Sequence, residues 1–471
     1  MCKLFSWSLF VGVLFVGTLF AGSFSALADV MPLRVLIDVR SNHSDGAHDF
    51  NTLAALAEKR DIDVLVFTEH DRFSILLGIE PVAKILGYQM QHPSLYVTGV
   101  EKFFDDLAAL RKERPGMLFM AATESTPGYD WFGIPFRDLT LHNAERHIIA
   151  LGAERAEQIQ ALPSFDLRHA HGPVALSMVF WFLLVGGMLI ILLRRRKKVV
   201  AMLLFASFIA FMATWLTRGT VDADADFIRV AEQQGLFTIW AHPGTLSGSR
   251  PGPMGVQLDT PPYSQRVFHE PTANAFAAIY GDTNTYTNPG DLWDRYMADY
   301  MMGLHNAPIW AVSSGDYHQE GQSGEFLGNF PMDVWAQERS AVAVLKALRG
   351  GHMVAWHASK GKNFRVGRLD LQDASGKKLL PGDEALVSSE LMLSFLLQEM
   401  PVSGRGGLAD KPVRARLIVD GEVLKNVQMR LGQLLKLRLH LTPGAHVLRV
   451  DVPNQWLGGM IANPFLLRVA N

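Results

Sequence analysis

The sequence predicts an α/β chain: a β/α barrel assembled from two separate stretches, interrupted by a transmembrane helical hairpin and followed by a small antiparallel β-sandwich. Three observations predict it. Short β-rich apolar runs alternate with amphipathic stretches, the pattern of a parallel sheet or barrel whose strands are joined by helices. Two long apolar runs in mid-chain flank five consecutive cations, Arg194 to Lys198. Beyond about Lys360 the pattern becomes one of closely spaced strands separated by turn signals. The organisation therefore reads as a leader over 1–28, a first barrel part over 29–170, the hairpin over 171–217, a second barrel part over 218–360 and the sandwich over 361–471.

Composition bounds the function. With 471 residues, 49% hydrophobic and 19% charged, the chain is too apolar to be disordered and long enough for about three structural units. Lys plus Arg number 44 against 46 Asp plus Glu, a net charge of −2, so no nucleic-acid partner is expected and any affinity for an anion must be local. The single cysteine, Cys2, lies in the leader. Internal disulfides, cysteine-ligated zinc, iron–sulfur clusters and a cysteine nucleophile are thereby excluded.

The leader opens with Lys3, continues through an apolar run from Leu9 to Phe20 and ends in Ala26-Leu27-Ala28, a signal-peptidase pattern. An uncleaved anchor helix is the alternative; both place the following chain outside the cytoplasm. Seven strand-like runs then follow: Val35 to Val39, Val64 to Thr68, Leu118 to Ala122, His147 to Leu151, Phe237 to Trp240, Ala275 to Tyr280 and Ile309 to Ser313. Helices are expected from Phe50 to Arg60, where Leu53, Leu56 and Ala57 share a face, and over Val100–Arg114, Ala223–Gln234, Leu292–Met302 and Ala341–Leu348. The apolar runs Pro173 to Leu193 and Val199 to Leu216 each approach the ~20 residues that cross a bilayer. The cations between them mark the cytoplasmic turn, so both barrel parts would share one extracytoplasmic compartment, the periplasm in a Gram-negative bacterium, with the lipid bilayer as a partner. In the last region, Arg414 to Val419, Leu435 to Leu441 and His446 to Val452 are the clearest strands, and no titratable cluster there suggests catalysis.

Asp38, Asp45, His70, Glu124, His242, Asp316 and His318 fall at or just beyond the C-terminal ends of the apolar runs, where a β/α barrel gathers its active site. His147 begins its run instead of ending it, and His142 is its rival. Asp45 also reads as a turn residue, being followed by Gly46. Glu69 is read as the partner of a ligating histidine, not as a ligand. His169 and His171 precede the first long apolar run and read as interfacial.

Ser41-Asn42-His43-Ser44-Asp45-Gly46, followed by a helix, a strand and Thr68-Glu69-His70-Asp71, resembles the PHP (polymerase and histidinol phosphatase) metal-dependent hydrolases. Glu124, His147-Ile148-Ile149-Ala150-Leu151-Gly152, Ala241-His242-Pro243 and Gly315-Asp316-Tyr317-His318 continue the resemblance in family order. It implies a distorted seven-stranded β/α barrel holding two or three divalent ions, zinc, manganese or iron, and hydrolysing phosphate esters. Glu124 would bridge two ions, His147 and His242 would complete one, Asp45, His70 and His318 would hold another, and Asp316 would belong to the remaining one. The family's opening Asp-x-His-x-His is replaced by Ile37-Asp38-Val39-Arg40-Ser41, so that its histidines become Asp38 and Arg40, or Arg40 and Asn42. Arg40 only donates and cannot ligate a metal. Asp38, or the nearby His43 or His48, remains available as a ligand, and the third ion position is weakened or absent.

The reading is a membrane-anchored extracytoplasmic hydrolase acting on a small-molecule or envelope phosphoester. Two ions bridged by Glu124 would activate a shared water, Asp316 would belong to the reacting centre, and Arg40 would stabilise charge growing on phosphoryl oxygens. Two alternatives stand beside it: a catalytically degenerate metal- or ligand-binding sensor or scaffold, and a hydrolase of amide or glycosidic bonds.

Overall fold

The computed structural model describes residues 30–79, 85–134, 137–163, 174–194, 199, 202–209, 222–245, 248–252, 255–282, 284–321, 326–359, 364–400 and 411–470. The leader, Cys2, His169, His171 and positions 195–198 of the basic turn lie outside them.

All seven apolar runs are strands of one sheet: β1 (Met31–Val39), β2 (Val64–His70), β3 (Leu118–Ser125), β4 (Ile148–Ala153), β5 (Phe237–Trp240), β6 (Ala275–Ile279) and β7 (Trp310–Ser313). Buried along nearly their whole length, they read in sequence as unbroken apolar runs and not as an alternation. The helices lie at Phe50–Glu58, Val100–Glu113, Ala223–Gln233, Leu292–Met301 and Ala341–Arg349. Their starts are set by caps: Asp49 accepts from the Thr52 amide, Asp222 from Ala225 and Ser340 from Ala343. From the first helix, Phe50, Leu53, Ala54 and Ala57 enter a core shared with all seven strands.

The ladders run β7-β6-β5-β4-β3-β2-β1. β1, β2 and β3 are parallel, as are β5, β6 and β7, but β4 is antiparallel to both its neighbours. The reversal brings the start of β4 to the edge where the other strands end.

Three expectations are corrected. Among the described residues no ladder joins β7 to β1, so the seven strands do not form a closed barrel. Beyond β1 the sheet continues through antiparallel β8 (Met332–Ala336) and β9 (Met353–Ala358) into Gly458–Ala462, Gly444–Gln455, Pro412–Val419 and Glu422–Arg430, one mixed sheet. Its curl nevertheless brings the residues after β7 back to β1: Tyr317 donates its amide to Asp38 and accepts from the Arg40 amide. Ser313 bridges the gap to β8 and β9 through the Pro331 and Trp356 carbonyls.

The transmembrane hairpin is the second correction: among the described residues no helix is long and apolar enough to cross a membrane. The first long apolar run is helical over Val174–Arg194. The helix lies beside the strand Asp130–Phe132, and the second run is helical over 202–209.

C-terminal strands pack as two sheets over a second core that includes Val366, Leu393, Phe395, Leu417, Val450 and Leu467. One of these sheets is the continuation of the N-terminal sheet, and Glu384–Val387 pairs in parallel with Phe465–Val469, so this region is neither separate nor wholly antiparallel. Asn463 holds the β7 backbone through both the amide and carbonyl of Ala311. Arg449, 1% exposed, bonds both oxygens of Asp294 on the helix Leu292–Met301.

Candidate metal centre

The edge formed by the ends of β1, β2, β3, β5 and β7 and the start of β4 carries Asp38, Arg40, His70, Glu124, His147, His242, Asp316 and His318, with Asp45 in the turn after β1. His70 closes β2, Glu124 stands at the end of β3, His147 precedes β4, and His242 follows β5. Asp38 and Arg40 sit at the end of β1, with Asp316 and His318 in the segment after β7. Asp38, His242 and Asp316 have φ of 64°, 27° and 43°. They make up half of the six non-glycine residues with positive φ among those described, which places the backbone strain at this edge.

Glu124, fully buried, is the hub. Its Oε2 lies 3.2 Å from His147 Nδ1 and its Oε1 3.2 Å from His242 Nε2, while the two ring nitrogens are 3.3 Å apart. Burial works against the carboxylate charge, but Arg40 and His147 outweigh it and hold Glu124 well below the usual carboxylate range. Burial likewise works against a charged His242, and Glu124 overrides it, raising the imidazole to about 9.

Arg40 is 1% exposed and faces the chain's own carboxylates. One terminal nitrogen bonds Glu124 and also Asp316 Oδ1, at 3.2 Å, while the other bonds the Thr68 carbonyl and lies 3.6 Å from Asp38 Oδ1. Nε is 3.6 Å from Asp45 Oδ1. Burial disfavours the guanidinium charge, yet the attraction of Glu124, Asp38, Asp316 and Asp45 is larger and the pKa is raised. Asp38 is fixed from the other side by the Ser314 hydroxyl and the Asp316 amide. Burial, then repulsion from Glu124, pushes its carboxyl up to about 6.

A third grouping sits towards the mouth, where the Asp316 side chain is 48% exposed and that of His318 is 23% exposed. Asp45 Oδ2 lies 3.5 Å from His70 Nε2 and 3.3 Å from His318 Nε2. Its turn is closed by Gly46, where a Cβ would overlap the Arg40 carbonyl.

Several candidates lie elsewhere. His43 turns away to Asp106, at 3.1 Å, and packs on Phe50 and Phe103. His142 pairs with Asp259 at 2.9 Å, and His147 takes the place at the centre. Nε2 of His48 is buried with no hydrogen-bond partner among the described residues. Glu69 accepts from the Ser41 amide and the Ser44 hydroxyl, so it anchors the loop that carries Asp45 instead of orienting a histidine. Thr68 and Ser314, which hold Asp38, had no sequence signal beyond following or ending strands.

Among the described residues two groups of three donors come together, and one of them fits a divalent ion. Glu124, His147 and His242 offer one oxygen and two nitrogens within 4.8 Å of one another. Ligands bonded tetrahedrally at about 2.0–2.1 Å stand ~3.3 Å apart; the two imidazole nitrogens are 3.3 Å apart, and each lies 3.2 Å from a different oxygen of Glu124. Asp38, Glu124 and Asp316 form a second group of possible donors, but the guanidinium of Arg40 lies against all three.

No family profile matches the chain, and no curated protein does. Among solved structures it is similar to a two-domain protein from Bacteroides vulgatus said to contain a predicted PHP-like metal-dependent phosphoesterase, with 14% identity and a TM-score of 0.37, over 93% of this chain and 96% of that one. A protein from Bifidobacterium adolescentis assigned as a metal-dependent phosphoesterase shares 12% identity over 62% of this chain and 90% of its own, at a TM-score of 0.28. An amidohydrolase from Chromobacterium violaceum, with bound sulfate and no metal, shares 15% over 61% and 88%, at 0.26. Likenesses at this level carry no weight for function, which rests on the side chains.

Proposed function

We propose that the chain is a metal-dependent hydrolase whose substrates are phosphate esters. The observation that carries this reading is the convergence of Glu124, His147 and His242, three buried side chains that bring one oxygen and two nitrogens within 4.8 Å of one another, with the imidazole nitrogens 3.3 Å apart. An imidazole pair with a carboxylate suits a borderline divalent ion such as zinc, manganese or ferrous iron. Such an ion would supply Lewis-acid activation of a water and of a phosphoryl oxygen.

The chain's own groups complete the environment. Four carboxylates, Asp38, Asp45, Glu124 and Asp316, face one guanidinium, so the centre attracts cations and repels an anionic ester until an ion is held. Arg40 bonds Oε2 of Glu124, which also lies 3.2 Å from His147, while Oε1 lies 3.2 Å from His242 and has no hydrogen-bond partner among the described residues. Asp45 orients His70 and His318 together at the mouth. Substrate enters on that side, past Asp316 and His318, because the opposite side is closed by buried Glu124, His147 and His242. The phosphoester class is supported by the ordered set of motifs from Ser41 to His318, and not by any contact in the centre.

One observation favours a second reading. Arg40 forks onto the chain's own carboxylates and not towards the mouth, as a catalytically silent binding module would allow. Protein loaded with manganese or zinc, assayed against an aryl phosphate, an aryl ester and an anilide, separates the readings. Turnover of the phosphate supports the proposal, turnover of the ester or anilide alone moves it to another hydrolase class, and none with metal bound favours the module.

A further inference from the structure

Resting on the reading of Glu124, His147 and His242 as a metal site, we infer that Arg40 is a built-in cation that takes the place of a second ion, so that this chain binds a single divalent metal. Its guanidinium contacts every carboxylate of the second donor group: Glu124 and Asp316 by hydrogen bonds, and Asp38 at 3.6 Å. An ion bonded to those oxygens at about 2.0–2.2 Å would have to displace it.

Displacement is opposed by how Arg40 is held. Its amide donates to the Tyr317 carbonyl and a guanidinium nitrogen donates to the Thr68 carbonyl, so main chain and side chain are both fixed. The loop Ser41–Gly46 closes over the Arg40 carbonyl so tightly that Gly46 has no room for a Cβ. With 1% exposure, a guanidinium leaving the carboxylates would remain buried as an uncompensated charge. The carboxylates need it equally: Asp38 is fully buried and Oδ1 has no hydrogen-bond partner among the described residues, leaving Arg40 as its nearest counter-charge. A permanent guanidinium never dissociates, so the charge balance of this half of the centre is independent of metal supply.

The test is metal stoichiometry by elemental analysis after equilibration with excess manganese or zinc and removal of free ion. Wild-type chain should retain one equivalent, lost in His242→Ala and kept in Asp38→Asn, because Asp38 serves Arg40 and not the ion. Arg40→Met, which keeps the volume and deletes the charge, should take up a second equivalent and show a larger rise in melting temperature with metal than wild type. Two or more equivalents in wild type, loss of the ion in Asp38→Asn, or a folded Arg40→Met that stays at one equivalent overturns the inference. If Arg40→Met does not fold, the wild-type count and Asp38→Asn decide alone. No metal in wild type refutes the metal site itself, whereas two equivalents with phosphate turnover refute only the role of Arg40.

Discussion

Nδ1 of His147 and Nε2 of His242 meet at 3.3 Å although the residues are 95 positions apart and flank strands that run in opposite directions. The antiparallel course of β4 is what allows this, since it delivers the residue before its first position to the edge where β5 delivers the residue after its last.

Replacing either histidine should therefore damage the same ion. His242→Ala and His147→Ala should each weaken manganese or zinc binding by at least ~100-fold, since loss of an outer partner alone costs 10–100-fold. Calorimetric titration checks this. Undiminished affinity in both variants would place the ion elsewhere.

Metal should also stabilise the fold. At a free ion concentration about 100 times the dissociation constant, a single site adds about 2.7 kcal/mol. Denaturant unfolding with and without ion measures the increment, and Glu124→Gln should remove most of it.

Much of this arrangement is legible in the sequence, for identifiable reasons. Strands buried on both faces leave unbroken apolar runs, and Asp49, Asp222 and Ser340 announce their helices. Strand direction has no such mark: nothing in His147–Leu151 says that β4 runs backwards, which is why His147 looked misplaced. The chemistry of Arg40 ruled it out as a ligand, but its partners come from β1, β2, β3 and the segment after β7, and only the curl of the sheet brings them together. Periodicity also cannot tell a closed barrel from a sheet that curls and continues through β8. The apolar runs after Pro173 met a length rule in the sequence, whereas among the described residues no helix is long and apolar enough to cross a membrane.

Gly46 should tolerate no side chain. The added Cβ of Gly46→Ala overlaps the Arg40 carbonyl, so the loop carrying Asp45 must shift. A loss of roughly 1–3 kcal/mol in unfolding free energy is expected, as for other overpacked sites. Gly116→Ala, where nothing lies within 4 Å of the added atom, is the control and should leave stability within about 0.5 kcal/mol.

Arg449 should matter to the joint between the C-terminal sheets and the helix Leu292–Met301. Arg449→Leu leaves Asp294 and Asp451 buried without their shared cation, at 4% and 2% exposure. Removing one partner from a buried pair costs about 3–5 kcal/mol, so the unfolding midpoint should fall sharply. A change under ~1 kcal/mol would mean that solvent reaches the pair.

Anomalous scattering from crystals equilibrated with manganese addresses the central claim most directly. The account predicts a peak within about 2.0–2.3 Å of Nδ1 of His147, Nε2 of His242 and an oxygen of Glu124, with the Arg40 guanidinium still against Asp38 and Asp316. A peak at Asp38 and Asp316 with Arg40 swung away, or no peak beside His147 and His242, would contradict it.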